Sequence, residues 1–319
     1  MLKAGLVGSG HLGKIHLKLL LESTNYKLVG FYDANLEEAK KVSKDYGVPY
    51  FESFDALLEE IEVLDIVTPT LYHFEYAKKA LEASKHVFIE KPVTNTVEQA
   101  QILIDLAHKH NRKVQVGHVE RFNPAFLAVE NTIESPMFIE AHRLAEFNPR
   151  GTDVSVVLDL MIHDLDIILS VVKSPVKEIR SSGVSILSET PDVANARVEF
   201  ENGCVANIST SRISMKNMRK IRFFQKDTYL SIDFLEKKAE RIQIKDAAKD
   251  QDDTKLIFEN SKGESKELYF ESPEIVPVNA ILEELNSFAF SINQNTREKV
   301  NLEDATKALS LALEIIKAF

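Results

Sequence analysis

The sequence predicts an α/β protein whose first 120 residues form a parallel sheet and whose remainder, residues 121–319, forms an α+β domain with an open, mainly antiparallel sheet. Three observations carry that prediction. A glycine turn, Gly8-Ser9-Gly10-His11-Leu12-Gly13, follows an apolar run at 4–7 and precedes a helix-like stretch at 14–22. Strand-like and helix-like segments then alternate up to residue 120, as in a doubly wound sheet. Beyond residue 176 the apolar and polar positions alternate instead, and Asn202-Gly203 supplies a hairpin turn.

The turn is the signature of a Rossmann parallel sheet. Gly8 permits a tight bend, Gly10 lets backbone approach a pyrophosphate, and Gly13 lets the helix sit close to the strand. The helix N-terminus offers N–H groups and a partial positive charge to phosphate. Asp33 ends the second apolar run, 27–32, where a carboxylate accepts hydrogen bonds from the adenosine ribose hydroxyls. The same carboxylate repels a 2′-phosphate, and Ala34-Asn35 brings no arginine to bind one. NAD is therefore expected over NADP.

The next elements follow in order. Leu36, Ala39, Val42 and Tyr46 recur at helical spacing and Gly47 stops them. A short helix is expected over 53–61 and a buried strand over 63–67, ending at Thr68-Pro69-Thr70. An amphipathic helix covers 72–83, and a strand over 86–89 ends at Glu90-Lys91-Pro92. Thr96 and Gln99 have capping-box spacing, opening a helix to His110, and 113–116 reads as a further strand. Ligands of such sheets sit beyond the carboxyl ends of the strands, so loops 8–13, 68–73 and 90–92, with Gly117-His118, should face the cofactor. The prolines fix φ and stiffen that wall.

The second half reads differently. One helix is expected over 154–172, with Leu158, Ile162, Leu165 and Leu169 as its apolar stripe. Three hairpins follow: 195–201 with 204–211, 219–225 with 229–234, and 256–259 with 267–270. The charged stretch 236–255 reads as solvated strand and loop, and helices at 280–293 and 303–318 close the chain.

Bulk composition narrows the function classes. A chain of 319 residues, 44% hydrophobic and 28% charged, can bury two cores. Its net charge of −10 speaks against nucleic acid, and an anionic substrate would need a local basic pocket. The one cysteine, Cys204, excludes an intrachain disulfide and a multi-cysteine zinc site, and it reads as a small buried hydrophobe. No apolar run reaches the ~18 residues a membrane span needs, and the apolar start is broken by the glycine turn, unlike a signal peptide. A cytoplasmic location and no membrane partner are expected.

Two groups could do chemistry. Asp159 and His163 lie four apart on one helix, with Asp166 three further on. The carboxylate can hold one ring nitrogen protonated while the other takes a proton from a substrate hydroxyl. A surface ion pair would have the same spacing; metal binding is disfavoured, because no third strong ligand is nearby in sequence. Lys91, at a strand's carboxyl end, can donate a hydrogen bond to a reacting oxygen or, if burial lowers its pKa, take its proton. Alone, it reads as a solvent-exposed loop lysine.

Taken together, the glycine turn, Thr68-Pro69-Thr70 with His73, Glu90-Lys91-Pro92, Arg121-Phe122-Asn123-Pro124 and Asp159-x-x-x-His163-x-x-Asp166 stand in the order of one family. The whole chain resembles the glucose–fructose oxidoreductase / inositol dehydrogenase / rhizopine-catabolism (Gfo/Idh/MocA) family. The resemblance implies an NAD-dependent oxidoreductase that moves hydride between nicotinamide and a secondary hydroxyl of a sugar or nucleotide sugar. It implies that Lys91 is the catalytic lysine, His163 the base or proton relay, and Asp159 its partner. Thr68, Pro69, His73 and Glu90 would surround the nicotinamide and its ribose, with Arg121 and Asn123 near the cofactor–substrate junction. It also implies a homodimer or homotetramer assembled through the second sheet. The run 153–158 lacks the glycine-rich lead of many relatives, and Met161 stands where many carry glycine. That bulk disfavours a simple inositol or glucose substrate, and the run Asp159-Leu-Met-Ile-His-Asp-Leu-Asp166 resembles the branch that oxidises nucleotide-linked amino sugars, such as the 3-hydroxyl of UDP-N-acetylglucosamine. Two alternatives share the fold: a non-catalytic NAD-sensing regulator, which would be expected to lack the lysine or the Asp–His pair, and a reductase of an imine or linear tetrapyrrole.

Overall fold

The computed structural model describes residues 1–148, 154–247 and 256–319. Parts of the lead 153–158 and of the charged stretch 236–255 therefore lie outside the described residues.

In chain order the elements begin β1 (Leu2–Val7), α1 (His11–Glu22), β2 (Tyr26–Tyr32), α2 (Leu36–Tyr46), α3 (Phe54–Glu60) and β3 (Val63–Ile66). Then come α4 (His73–Glu82), β4 (His86–Glu90), α5 (Val97–Lys109), β5 (Val114–Gly117), α6 (Pro124–Leu127), β6 (Phe138–Leu144) and α7 (Ile162–Val171). Eight strands follow: β7 (Val176–Val184), β8 (Val193–Phe200), β9 (Val205–Ser211), β10 (Met218–Gln225), β11 (Thr228–Asp233), β12 (Lys238–Asp246), β13 (Leu256–Glu259) and β14 (Ser265–Glu271). Helices α8 (Ala280–Gln294) and α9 (Leu302–Lys317) end the chain. No helix among the described residues is long and apolar enough to cross a membrane.

Local signals behave as their chemistry requires. Asn35 caps α2 by accepting from Glu38 N–H, and Gly47 ends that helix at φ 67°, a left-handed conformation that suits glycine. The Thr96 side chain accepts Gln99 N–H, while the Gln99 side chain reaches back to Asn95 N–H, one residue before the cap.

The chain divides into two compact units, Met1–Phe122 with Asn279–Ser310, and Asn123–Val278 with Leu311–Phe319. The sequence places 279–310 in the second domain; the structure returns them to the first. The cause is burial. Leu285, Phe288 and Ala289 of α8 join Leu6, Leu17, Phe31 and Phe88 in one apolar core. Tyr26 Oη donates to the Leu285 carbonyl at 2.6 Å and Gln115 Nε2 to that of Glu284 at 2.6 Å.

The first unit's sheet is parallel throughout, in the order β2-β1-β3-β4-β5. Its strand order reverses between β1 and β3, the switch point at which such sheets hold ligands. In the second unit, nine strands run β13-β14-β12-β11-β10-β6-β9-β8-β7. All pair antiparallel except β6 with β9. The sequence did not announce β6. Its inward positions are Ile139, Ala141 and Arg143, and an arginine at a core position hides the apolar alternation.

The single helix expected over 154–172 is two structures. Val157–Met161 forms a π-helical turn in which Ile162 N–H reaches the Val157 carbonyl, and α7 continues from it. Such wide turns recur at functional sites.

Candidate active site

The glycine turn builds a cradle. Gly8 sits at φ 94°, and a Cβ there would lie 2.8 Å from the Val67 carbonyl oxygen. A Cβ on Gly13 would lie 1.9 Å from the Gly8 carbonyl oxygen, so α1 and the turn touch only because that position is glycine. Gly10 differs: a Cβ there would meet nothing within 4 Å. The space ahead of α1 is open, and among the described residues no side chain caps the helix. An uncapped N-terminus behind open space fits a pyrophosphate. His11 is exposed and Leu12 half-buried at the head of α1.

Asp33 stands at the carboxyl end of β2. Its Oδ2 accepts from both the N–H and the hydroxyl of Ser9, each at 2.7 Å, and Oδ1 accepts Asn35 N–H at 2.9 Å. An ionised carboxylate has about four acceptor sites, so capacity remains for a ribose. Ser9, expected at the cofactor, is fully buried and turns its hydroxyl onto Asp33. Its role is to aim the acid. These residues fit a dinucleotide.

Thr68, Pro69 and Thr70 follow β3, and Glu90 and Lys91 stand at the end of β4. His73 joins the two loops. Its Nδ1 lies 2.9 Å from the Pro92 carbonyl oxygen and its Nε2 2.8 Å from that of Thr68. Burial, the largest influence, holds this imidazole below its usual pKa. At neutral pH the ring thus carries one N–H and donates to one carbonyl at a time. His73, expected around the nicotinamide, is 1% exposed and acts as a clamp between loops. Lys91 is half-buried, and Lys91–Pro92 is a cis peptide. Arg121 is also buried, with Nη2 donating to the Lys299 carbonyl at 3.4 Å.

Asp159 and His163 belong to the second unit. Both are half-buried, Asp159 in the π turn and His163 on α7, while Asp166 is buried. Behind them Arg143 of β6 grips Asp164 through two bonds of 2.9 Å, Nε to Oδ2 and Nη2 to Oδ1. That forked, buried pair fixes α7 to the sheet beside His163. Asn123 caps α6 by accepting Ala125 N–H, and its Nδ2 donates to the Phe234 carbonyl at 3.0 Å.

Sequence reasoning missed a buried charged cluster in the first unit. His16 Nδ1 lies 2.9 Å from Asp65 Oδ2, and its Nε2 lies 3.2 Å from Glu90 Oε1. Glu284 of α8 completes the group: one atom each of His16, Glu90 and Glu284 lie within 4.8 Å of one another. The signals were readable. Asp65 interrupts the apolar strand β3, and Glu284 sits one helical turn from Phe288 on the buried face of α8.

Known proteins share this layout. Residues 2–118 match the family model "Oxidoreductase family, NAD-binding Rossmann fold", and residues 130–227 match "GFO/IDH/MocA C-terminal domain". UDP-N-acetylglucosamine 3-dehydrogenase of Acidithiobacillus ferrooxidans is 38% identical over 235 residues, 73% of this chain and 74% of that one. A solved structure of UDP-N-acetylglucosamine 3-dehydrogenase from A. ferrooxidans superposes with a TM-score of 0.89 at 31% identity, covering 99% of this chain and 97% of that chain. The scyllo-inositol 2-dehydrogenase (NAD(+)) of Bacillus subtilis is 26% identical over 66% of this chain and 68% of its own length. With both domain models matched and a relative aligned over most of its length, the chain belongs to the GFO/IDH/MocA family of NAD-binding oxidoreductases.

Proposed function

We propose that the chain is an NAD-dependent dehydrogenase that oxidises a secondary hydroxyl of a nucleotide-linked sugar, with the 3-hydroxyl of UDP-N-acetylglucosamine as first candidate. The observation that carries this reading is the row of loops at the carboxyl ends of β1 to β4, which sets an open phosphate cradle, an acid for the ribose and Lys91 on one edge of one sheet. The relative from A. ferrooxidans supports the substrate class. The bound nicotinamide would supply the hydride acceptor. Lys91 donates a hydrogen bond to the reacting oxygen and stabilises its developing negative charge. His163, oriented by Asp159, takes the hydroxyl proton. Asp33 excludes a 2′-phosphate and so favours NAD over NADP.

Exposed Leu256, Phe258 and Phe270 on β13 and β14 support a homodimer or homotetramer, and a cytoplasmic setting belongs to the same proposal.

The test is initial-rate NAD reduction across UDP-sugars, inositols and sugar phosphates, with wild type and Lys91→Ala compared on the best substrate. Lys91→Ala should lower kcat by about 10²–10⁴-fold and leave NAD affinity, read by fluorescence titration, nearly unchanged. Turnover that survives the substitution would remove Lys91 from the chemistry. Tighter binding of NADP than NAD would overturn the role of Asp33.

A further inference from the structure

We propose that His16, Asp65, Glu90 and Glu284 form a proton-sharing cluster that positions Lys91, with Glu90 as the link between cluster and lysine. The positioning half rests on the reading of Lys91 given above.

The geometry supplies the link. Glu90 Oε1 faces His16 Nε2 at 3.2 Å, while its Oε2 accepts the Lys91 backbone N–H at 3.1 Å. Its rotamer depends on a neighbour, because a Cβ on Gly117 would stand 2.7 Å from Glu90 Oε1. Strand β5 therefore leaves room for this carboxylate only by carrying glycine there. Glu284 enters from α8 fully buried, and among the described residues neither of its carboxylate oxygens has a hydrogen-bond partner.

Charge supplies the rest. Three carboxylates surround one imidazole, with Phe88 5.8 Å from the His16 ring and Phe288 beyond it. One imidazolium balances one carboxylate, and an isolated buried carboxylate is so unfavourable that it keeps its proton. Among the described residues, the charges that act on His16, Asp65 and Glu284 are those of the cluster itself, and Lys91 adds to those that act on Glu90. Tyr26 and Gln115 are neutral, their donors engaged by the α8 backbone, and the neutral His73 ring serves the two loops. Lys91 stands outside, half-exposed.

The individual tendencies agree. Burial lowers His16, but Asp65 and Glu90 outweigh it and hold the imidazole well above its ordinary range. Burial and then Glu90 push Glu284 well up, and burial raises Asp65. Burial would raise Glu90 too, but His16 outweighs it and keeps the group ionised. His16 and Glu90 are thus the ionised pair at the link to Lys91, and the retained proton sits on Glu284. A fixed negative Glu90 then holds the Lys91 backbone in one orientation.

The holoenzyme with bound NAD tests both halves. Infrared difference spectra of wild type against Glu284→Gln at neutral pH should show a protonated-carboxyl stretch in the wild type, and metal analysis should find no stoichiometric divalent ion. Absence of that band, or a bound zinc or manganese ion, overturns the cluster whatever Lys91 does. His16→Gln should lower kcat about ten-fold and shift the pH–rate profile, with KM and NAD affinity held within about two-fold. Gly117→Ala, which displaces Glu90 without altering any charge, should lower kcat similarly and serves if His16→Gln does not fold. Wild-type kcat in Gly117→Ala, or an unmoved profile in a folded His16→Gln, overturns the positioning role. If Lys91→Ala itself retained full turnover, the fault would lie in the reading of Lys91, and the infrared and metal results would still decide the cluster.

Discussion

Both units bury charge, and they neutralise it differently. In the second unit the buried carboxylate of Asp164 meets a guanidinium, Arg143, in a two-pronged grip. Asp192 lies 3.7 Å from Arg212 and accepts the backbone N–H groups of Ile186, Leu187 and Ser188 at 2.8, 2.7 and 3.0 Å. In the first unit three carboxylates share one imidazole. Guanidinium stays charged at any ordinary pH, so its pairs are fixed. Imidazole and carboxylic acid exchange protons, so the first unit's interior responds to its surroundings. The unit that carries the glycine turn thus holds an imidazole–carboxylate cluster whose groups exchange protons.

The sharpest way to break this contrast is Arg143→Met. It leaves Asp164 buried without its fork and should lower stability by about 3–5 kcal/mol, read by urea unfolding. A loss below about 1 kcal/mol would mean that the pair is a bystander. Asp192→Ala removes the acceptor of three N–H groups and should remove about 2 kcal/mol. Burial would raise this carboxyl, but those N–H groups outweigh it and hold it below its ordinary range. Its contribution is therefore complete above the unfolded value of about 3.9 and fades as pH falls through that value and below. Asp192→Asn should accordingly show a flatter acid limb than wild type. The smallest effect belongs to Glu284→Gln, which keeps a neutral side chain and should change stability at pH 5 by less than about 1 kcal/mol. Its pH dependence should differ. Above about 4.3 the unfolded chain releases the Glu284 proton that the folded chain retains, so wild-type stability declines as pH rises. The variant should lack that part of the decline. An identical slope in both proteins would erase the distinction between the two interiors.

Much of the fold was legible because period and punctuation agree in the first unit. Strands ending in glycine, Thr-Pro or Glu-Lys-Pro announced the carboxyl edge of the sheet, and their order pointed to the family. That Asp159 and His163 lie on one continuous helical run was legible, but the π turn that carries Asp159 was not, since hydrophobic spacing does not distinguish a wide turn from an ordinary one. The strand β6 was hidden by Arg143, and the cluster around His16 by distance: its members come from α1, β3, β4 and α8, up to 268 residues apart in sequence, a separation set by His16 and Glu284. Local pattern does not report which distant polar groups meet. The bridging contacts of His73 were hidden for the same reason, because its partners are backbone carbonyls that no side-chain motif reveals.

The return of α8 to the first core has a consequence for synthesis. The parallel sheet is complete by Gly117, yet Phe88 and its neighbours lack their cover until Phe288 has been made. A nascent chain that leaves the ribosome N-terminus first must therefore hold an unfinished nucleotide-binding half while the entire antiparallel sheet is translated. Chaperone binding during that interval, and the insolubility of a fragment ending at residue 122, are what such a discontinuous design would produce.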